Sequence, residues 1–280
     1  MQIDLRPRLA LLAVGALLSL SAQAHRPWLL PSATLVDGAA PVVSVDAAIS
    51  EDLFEFDAFP LNLDALRVTA PDGSAVPTDA RTEARRRVTF DVKLTQKGTY
   101  RIAGVTDTAM ASWKVNGETR RWRGAPAALA AEVPADAQDL QLSRQLARAE
   151  TFVTNERPSA LPAAVTGDGL ELVPLSTPTD LSVGDSTRFR LLLDGQPVAG
   201  VDVTLLRGGN RYRYRMGEIA LRTDAAGEFS VAWPEAGRYW LGASHGGRPP
   251  GGAAPAASAS APVAPVRRES YSATFEVLPK

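Results

Sequence analysis

The 280-residue chain contains no cysteine, two histidines, three methionines and only 6% aromatic residues. Without cysteine there can be no disulfide, thiolate metal site, iron–sulfur cluster or cysteine nucleophile. With two histidines, all imidazole chemistry rests on His25 and His245. A Ser-His-Asp triad would have to use His245, and no nucleophile-elbow glycine pattern stands before a helix. Four lysines (Lys93, Lys97, Lys114, Lys280) leave arginine as the dominant cation. The formal net charge of −1 lacks the basic excess of a nucleic-acid binder, so no nucleic-acid partner is expected. At 45% hydrophobic and 22% charged, the chain is too apolar to be disordered and too polar for a multi-span membrane protein.

Residues 1–24 read as an address. Arg6 and Arg8 precede an apolar run from Leu9 to Leu20, which ends in Ala22-Gln23-Ala24, a small-x-small cleavage signal. That run falls short of the ~20 residues a spanning helix needs. A cleaved secretory signal is therefore expected, with a periplasmic mature chain starting at His25 and no membrane span after cleavage. No cysteine follows the cleavage point, which excludes a lipoprotein anchor. Cleavage would leave a free α-amine beside the His25 imidazole, and such groups shed their protons near neutrality.

The remainder is β-strand material punctuated by turns. Val88, Phe90, Val92 and Leu94 alternate onto one face, as do Tyr271, Ala273, Phe275 and Val277. Asn116-Gly117 between two strand-like runs predicts a hairpin with a type I′ turn. Asp194-Gly195 and residues 223–227 mark further turns. Residues 135–155 fit helix and strand alike, with strand favoured for 149–154. Residues 158–169 read as a linker, and 246–268, rich in Gly, Pro, Ala and Ser, as a flexible insertion. Short strands at ~8–12-residue spacing predict an all-β chain of two immunoglobulin-like or prealbumin-like sandwiches, over 25–160 and 165–280.

Several of these stretches together resemble a known group. Ala24-His25-Arg26-Pro27-Trp28-Leu29-Leu30-Pro31-Ser32 is similar to the mature start of the NikM-like periplasmic family, a domain of unknown function linked to nickel and cobalt uptake. Gly169 to Leu175, Val183-Gly184-Asp185, residues 194–200, residues 223–229, Gly237 to Leu241 and His245 resemble its C-terminal half. The likeness covers most of 24–278, and the insertion at 246–268 departs from it. The resemblance implies a periplasmic accessory protein of divalent metal uptake, built of two β domains, with no established catalytic activity. Its partners would be a metal ion and a membrane transporter or outer-membrane receptor.

The candidate metal ligands are His25, through amine and imidazole, and His245. Three neutral nitrogens suit nickel, cobalt or copper and not calcium or magnesium; an iron complex is a further possible cargo. No catalytic residue is assigned. Two other readings stay open: a copper redox enzyme built on the N-terminal histidine, and a metal-free envelope module that binds glycan or protein. For that last reading, Arg211, Arg213 and Arg215 on one strand face would back onto Tyr212 and Tyr214. The acidic run Glu51, Asp52, Glu55 and Asp57 would flank Phe54, Phe56 and Phe59 in the core, and the five tryptophans would pack the two cores.

Overall fold

The computed structural model describes residues 25–161, 166–247 and 264–280. The expected leader at 1–24, part of the linker and most of the insertion lie outside them. The described chain is mostly strand: β1 (Arg26–Pro31), β2 (Val42–Ser50), β3 (Ala65–Thr69), β4 (Thr78–Ala84), β5 (Arg87–Lys93), β6 (Gly98–Val115), β7 (Glu118–Gly124), β8 (Gln138–Asn155), β9 (Leu170–Pro174), β10 (Ser186–Leu193), β11 (Asp202–Arg207), β12 (Ile219–Arg222), β13 (Glu228–Ala232), β14 (Gly237–Gly246) and β15 (Val266–Leu278), with shorter two-residue strands between them. One short helix, α1 (Leu129–Glu132), interrupts them.

Local sequence accounts for most of these strands. Val88, Phe90, Val92 and Leu94 are buried while their neighbours face outward. The β6–β7 turn places Asn116 at φ 52° and Gly117 at φ 82°, the doubly positive pattern of a type I′ hairpin. Of the ambiguous stretch before residue 149, residues 138–148 are strand, because β8 pairs antiparallel with β6 from Gln138 to Asn155, with a register shift between Gln138 and Gln141; residues 135–137 precede it as turn and coil.

The strands build three sheets. The first runs β1-β2-β5-β4, the third β9-β10-β13. Between them lies a shared sheet of eleven strands, whose longer members run β12-β11-β14-β15-β8-β6-β3, with β7 also on β6. The halves of this sheet join where β15 pairs in parallel with β8, from Ser143↔Val266 to Thr151↔Thr274. The two sandwiches therefore have a wall in common.

That wall is covered on both faces. Ala149 and Val153 of β8 belong to the core beneath the first sheet, with Leu29, Val45, Phe90, Tyr100 and Ile102. Phe152 of the same strand belongs to the core beneath the third sheet, with Phe189, Trp233, Tyr239, Leu241, Tyr271 and Phe275. Successive side chains of a strand point to opposite faces, so one strand serves both cores. A third cluster (Trp28, Ala48, Leu53, Leu206 and Trp240) seals β1 against the shared sheet. There the Trp240 indole N–H and the Ser272 hydroxyl both donate to the Pro27 carbonyl, each at 2.9 Å.

Asp194 ties the start of β9 to β15. Its carboxylate accepts two hydrogen bonds from Arg267, both at 2.9 Å, and one from the Gly169 N–H. The Arg267 guanidinium, helped by that N–H, holds the Asp194 carboxyl below the usual carboxylate range. A depressed carboxylate contributes stability above its unfolded pKa and loses it as pH falls through the folded one. The stability gap between wild type and Asp194→Asn, read from urea midpoints, is therefore expected to be full at neutral pH and to close as pH falls below about 4.

Candidate functional site

The chain enters β1 at His25, on the rim of the turn that follows β2. Two backbone amides of that turn, Glu51 and Asp52, donate to the two oxygens of Asp57 at 3.0 and 2.9 Å. The Glu55 N–H closes it on the Asp52 carbonyl. Leu53 donates its N–H to Asn210 Oδ1 at 3.0 Å, which fastens the turn to the C-terminal sandwich. Phe54 sits at φ +66°, a strained conformation for a bulky residue, and meets Trp28 edge-on with ring centroids 5.6 Å apart.

On this rim the His25 Nε2 lies 3.5 Å from Glu51 Oε1, and its ring is 5.7 Å from that of Phe59. The His25 side chain is 49% exposed. Arg26 donates to the Glu51 carbonyl and to the Glu218 carboxylate, both at 3.2 Å. An exposed imidazole thus stands beside the Glu51 carboxylate on a backbone fixed from both sandwiches.

The structure places the second histidine elsewhere. His245 pairs with Glu269 near the end of the β14–β15 ladder and is exposed. Trp240 of the same strand faces β1. Five residues on, strand alternation turns His245 to the opposite face, that of Tyr239, Leu241 and Ala243. Among the described residues, no group of three or more His, Asp or Glu side chains is placed to hold a metal ion.

The aromatic expectations need correction in three places. Phe56 and Phe59 are exposed rather than in the core, because the hydrogen bonds to Asp57 curl the turn outward. Residues 208–218 form no strand: Gly209 takes a left-handed φ of 74°, and a single 3₁₀ turn, Asn210–Tyr212, follows. Arg213 turns back to bond the carbonyls of Arg207 and Gly208, and Tyr212 and Tyr214 are left in solvent. Of the five tryptophans, Trp233 packs in the C-terminal core as expected, Trp28 and Trp240 pack in the third cluster instead, Trp113 is buried outside these clusters and Trp122 is only partly buried.

No pattern in residue order announces the buried ionic network between β8, β9 and β15. Arg148 lies 3.7 Å from Glu150 and 3.5 Å from Glu171, all three almost completely buried. The Tyr271 hydroxyl donates to Glu150 at 2.7 Å, and burial, with Glu150 beside it, pushes its pKa well above the ordinary value. Glu171 also accepts from the Thr166 hydroxyl and from the N–H groups of Thr166 and Gly167. With both of its carboxylates partnered, the network reads as a structural tie.

These features belong to a chain whose residues 22–247 match one family model, that of Domain of unknown function (DUF4198). The chain is a member of the DUF4198 family. No curated protein matches it. Among solved structures, this DUF4198 chain is similar to an ICAM-5 D1–D4 ectodomain fragment at 13% identity, covering 91% of this chain and 51% of that one, with a TM-score of 0.22. It is also similar to Escherichia coli alpha-2-macroglobulin at 12% identity, over 78% of this chain and 29% of that one, with a TM-score of 0.21. A DUF4785 family protein from Legionella pneumophila shares 7% identity over 77% of this chain and 51% of that one, with a TM-score of 0.23. The DUF4198 chain thus spans about half the length, or less, of these structures.

Replacing Arg148 removes the guanidinium that Glu150 and Glu171 share and leaves two buried carboxylates short of a cation. Arg148→Met is expected to destabilise by about 3–5 kcal/mol, measured by urea unfolding.

Proposed function

We propose that the mature protein, beginning at His25, carries a divalent transition-metal ion in the periplasm and hands it to an uptake system. The ion is cargo, and nickel, cobalt or copper suits the donors. The His25 α-amine and Nδ1 would form the chelate, leaving Nε2 toward Glu51. A carboxylate on the far nitrogen of a metal-bound imidazole fixes its tautomer and orientation and raises its basicity. The observation that carries this reading is the 3.5 Å approach of Glu51 to Nε2 of an exposed first-turn histidine.

The rest of the rim fits the role. Glu51, Asp52, Glu55, Asp57 and Glu218 make it acidic, which favours cation approach. Half exposure of the imidazole suits release to a partner better than a closed cage does. His245, on the other face of the shared sheet, is left out of the site. Membership of a family linked to nickel and cobalt uptake is the finer part of this proposal, resting on the Ala24-His25 start and the strand-and-turn pattern.

The test uses protein secreted so that it begins at His25, titrated with Ni²⁺ and Cu²⁺ by calorimetry. One site per chain is expected. His25→Ala should abolish it, and so should an otherwise identical chain retaining Ala24, whose peptide bond consumes the amine. Glu51→Gln should weaken binding about tenfold or more, and His245→Ala should bind as wild type. Unchanged binding in the Ala24-retaining chain would overturn the chelate.

A further inference from the structure

The turn at His25 leans on a second feature that the metal reading does not use. Between β11 and β12 the chain reads Gly208-Gly209-Asn210-Arg211-Tyr212-Arg213-Tyr214-Arg215-Met216-Gly217. Its foot is built firmly. Asn210 is 5% exposed, accepts the Leu53 N–H and donates to Asp52 at 3.4 Å. Arg213 cross-links the foot through the carbonyls of Arg207 and Gly208. Phe54 packs so closely on Gly208 that a Cβ there would meet its ring at 2.8 Å.

The tip is the opposite. Tyr212 is 79% exposed and Tyr214 fully so. Arg211 has only a long approach to Asp52, at 3.9 Å, and Arg215 forms no ion pair among the described residues. Two aromatic rings and two cations are thus presented to solvent on an anchored base. Tyrosine and arginine are the residue types that supply most binding energy at recognition surfaces. Tyrosine offers a rigid apolar face at low entropic cost, and the guanidinium fork matches a carboxylate in two parallel hydrogen bonds.

A cleft of about 400 Å³ opens at the foot of the loop, lined by Leu53, Phe54, Glu55, Gly208, Gly209 and Arg238, with Glu276 on its far wall. Glu276 is already engaged by the Thr34 N–H and hydroxyl and lies 4.0 Å from Arg238. Arg238 gives the cleft a cation and Glu55 and Glu276 give it acceptors, so it can take a ring that carries hydroxyls and a carboxylate. A ligand that fits both parts carries apolar ring faces for the tyrosines, many hydroxyls for the cleft, and carboxylates for Arg211 and Arg215.

We infer that the loop 207–218 and the cleft at its foot bind an acidic polysaccharide of the uronate type. The sugar rings lie on Tyr212 and Tyr214, and their carboxylates pair with Arg211 and Arg215. The four side chains at its tip are not among the groups that form the chelate at His25, although its foot rests on the same turn. An acidic polypeptide shares the charge but lacks the ring faces, and this separates the two experimentally.

The probe is polygalacturonate, tested by affinity electrophoresis and calorimetry at physiological ionic strength. Excess EDTA excludes bridging through a metal at His25. Saturable binding is expected, with dextran not retained and polyglutamate at least about tenfold weaker. Tyr212→Ala/Tyr214→Ala and Arg211→Ala/Arg215→Ala should each lose about tenfold or more, with the melting temperature and the Ni²⁺ titration unchanged, since all four side chains lie outside the core. Absence of saturable polygalacturonate binding would overturn the inference. So would a tyrosine variant that binds as wild type, or polyglutamate binding as tightly as polygalacturonate, which would mean charge alone.

Discussion

The parallel pairing of 143–151 with 266–274 is the constraint on which the architecture depends. Without it, the chain would hold two sandwiches joined by a linker. With it, a single sheet runs through both, and β8 must satisfy two cores at once. A parallel connection cannot be closed by a tight turn and needs a long crossover. Here the whole C-terminal sandwich is that crossover. The loss of freedom on closing so long a loop grows only slowly with its length. It is offset by two cores that share a wall instead of each building its own.

A sheet covered on both faces has no solvent side on which to leave polar groups. Arg148 and Glu150 alternate with Ala149 and Thr151 along β8, as residues on a half-exposed strand would. Their face, however, lies against β9 and the segment that leads into it. Each charge is therefore met by another or by a hydrogen bond: Glu150 by Tyr271, Glu171 by Thr166 and Gly167, Arg148 by both carboxylates. Burial of this kind is weak evidence for net stability but strong evidence for register. A slip of one residue in the β8–β15 pairing would turn Glu150 into the first core and leave Arg148 without partners.

The same contrast explains what could be read from residue order. Strands with a clean apolar–polar alternation were legible, whether the polar face is partly wet, as at 88–94, or buried, as at 271–277, and the Asn116-Gly117 hairpin lies where its pattern puts it. The all-β class followed from them. The shared sheet was hidden, since pairing between segments more than a hundred residues apart leaves no local periodicity. In the stretch before residue 149, most positions on both faces are half-buried or exposed, which blurs the period of two, so helix and strand fitted alike. The arginine–tyrosine run failed for a local reason: Gly208-Gly209 lets the backbone take a left-handed step, which converts an apparent strand into an anchored loop. At the rim, His25 was singled out by its place after an expected cleavage signal. The approach of Glu51 was not, because it depends on how Asp57 curls the turn.

That turn also shows why the rim belongs to neither sandwich alone. Its amides are satisfied from within by Asp57, but Leu53 is held by Asn210, and Arg26 reaches Glu218 next to β12. Position at His25 is therefore set jointly by the β1–β2 pairing and by a loop of the other sandwich. Loops carry binding groups best when a rigid scaffold fixes their ends. Here each of two loops is the other's scaffold: Asn210 fastens the 51–57 turn, and Phe54 of that turn fills the space above Gly208. Strain at Phe54 persists because contacts from both sides over-determine it. A change at the foot of the arginine–tyrosine loop thus reaches the His25 rim through Asn210 and Leu53, whereas a change at its exposed tip does not, and only the tip is free to vary with a ligand.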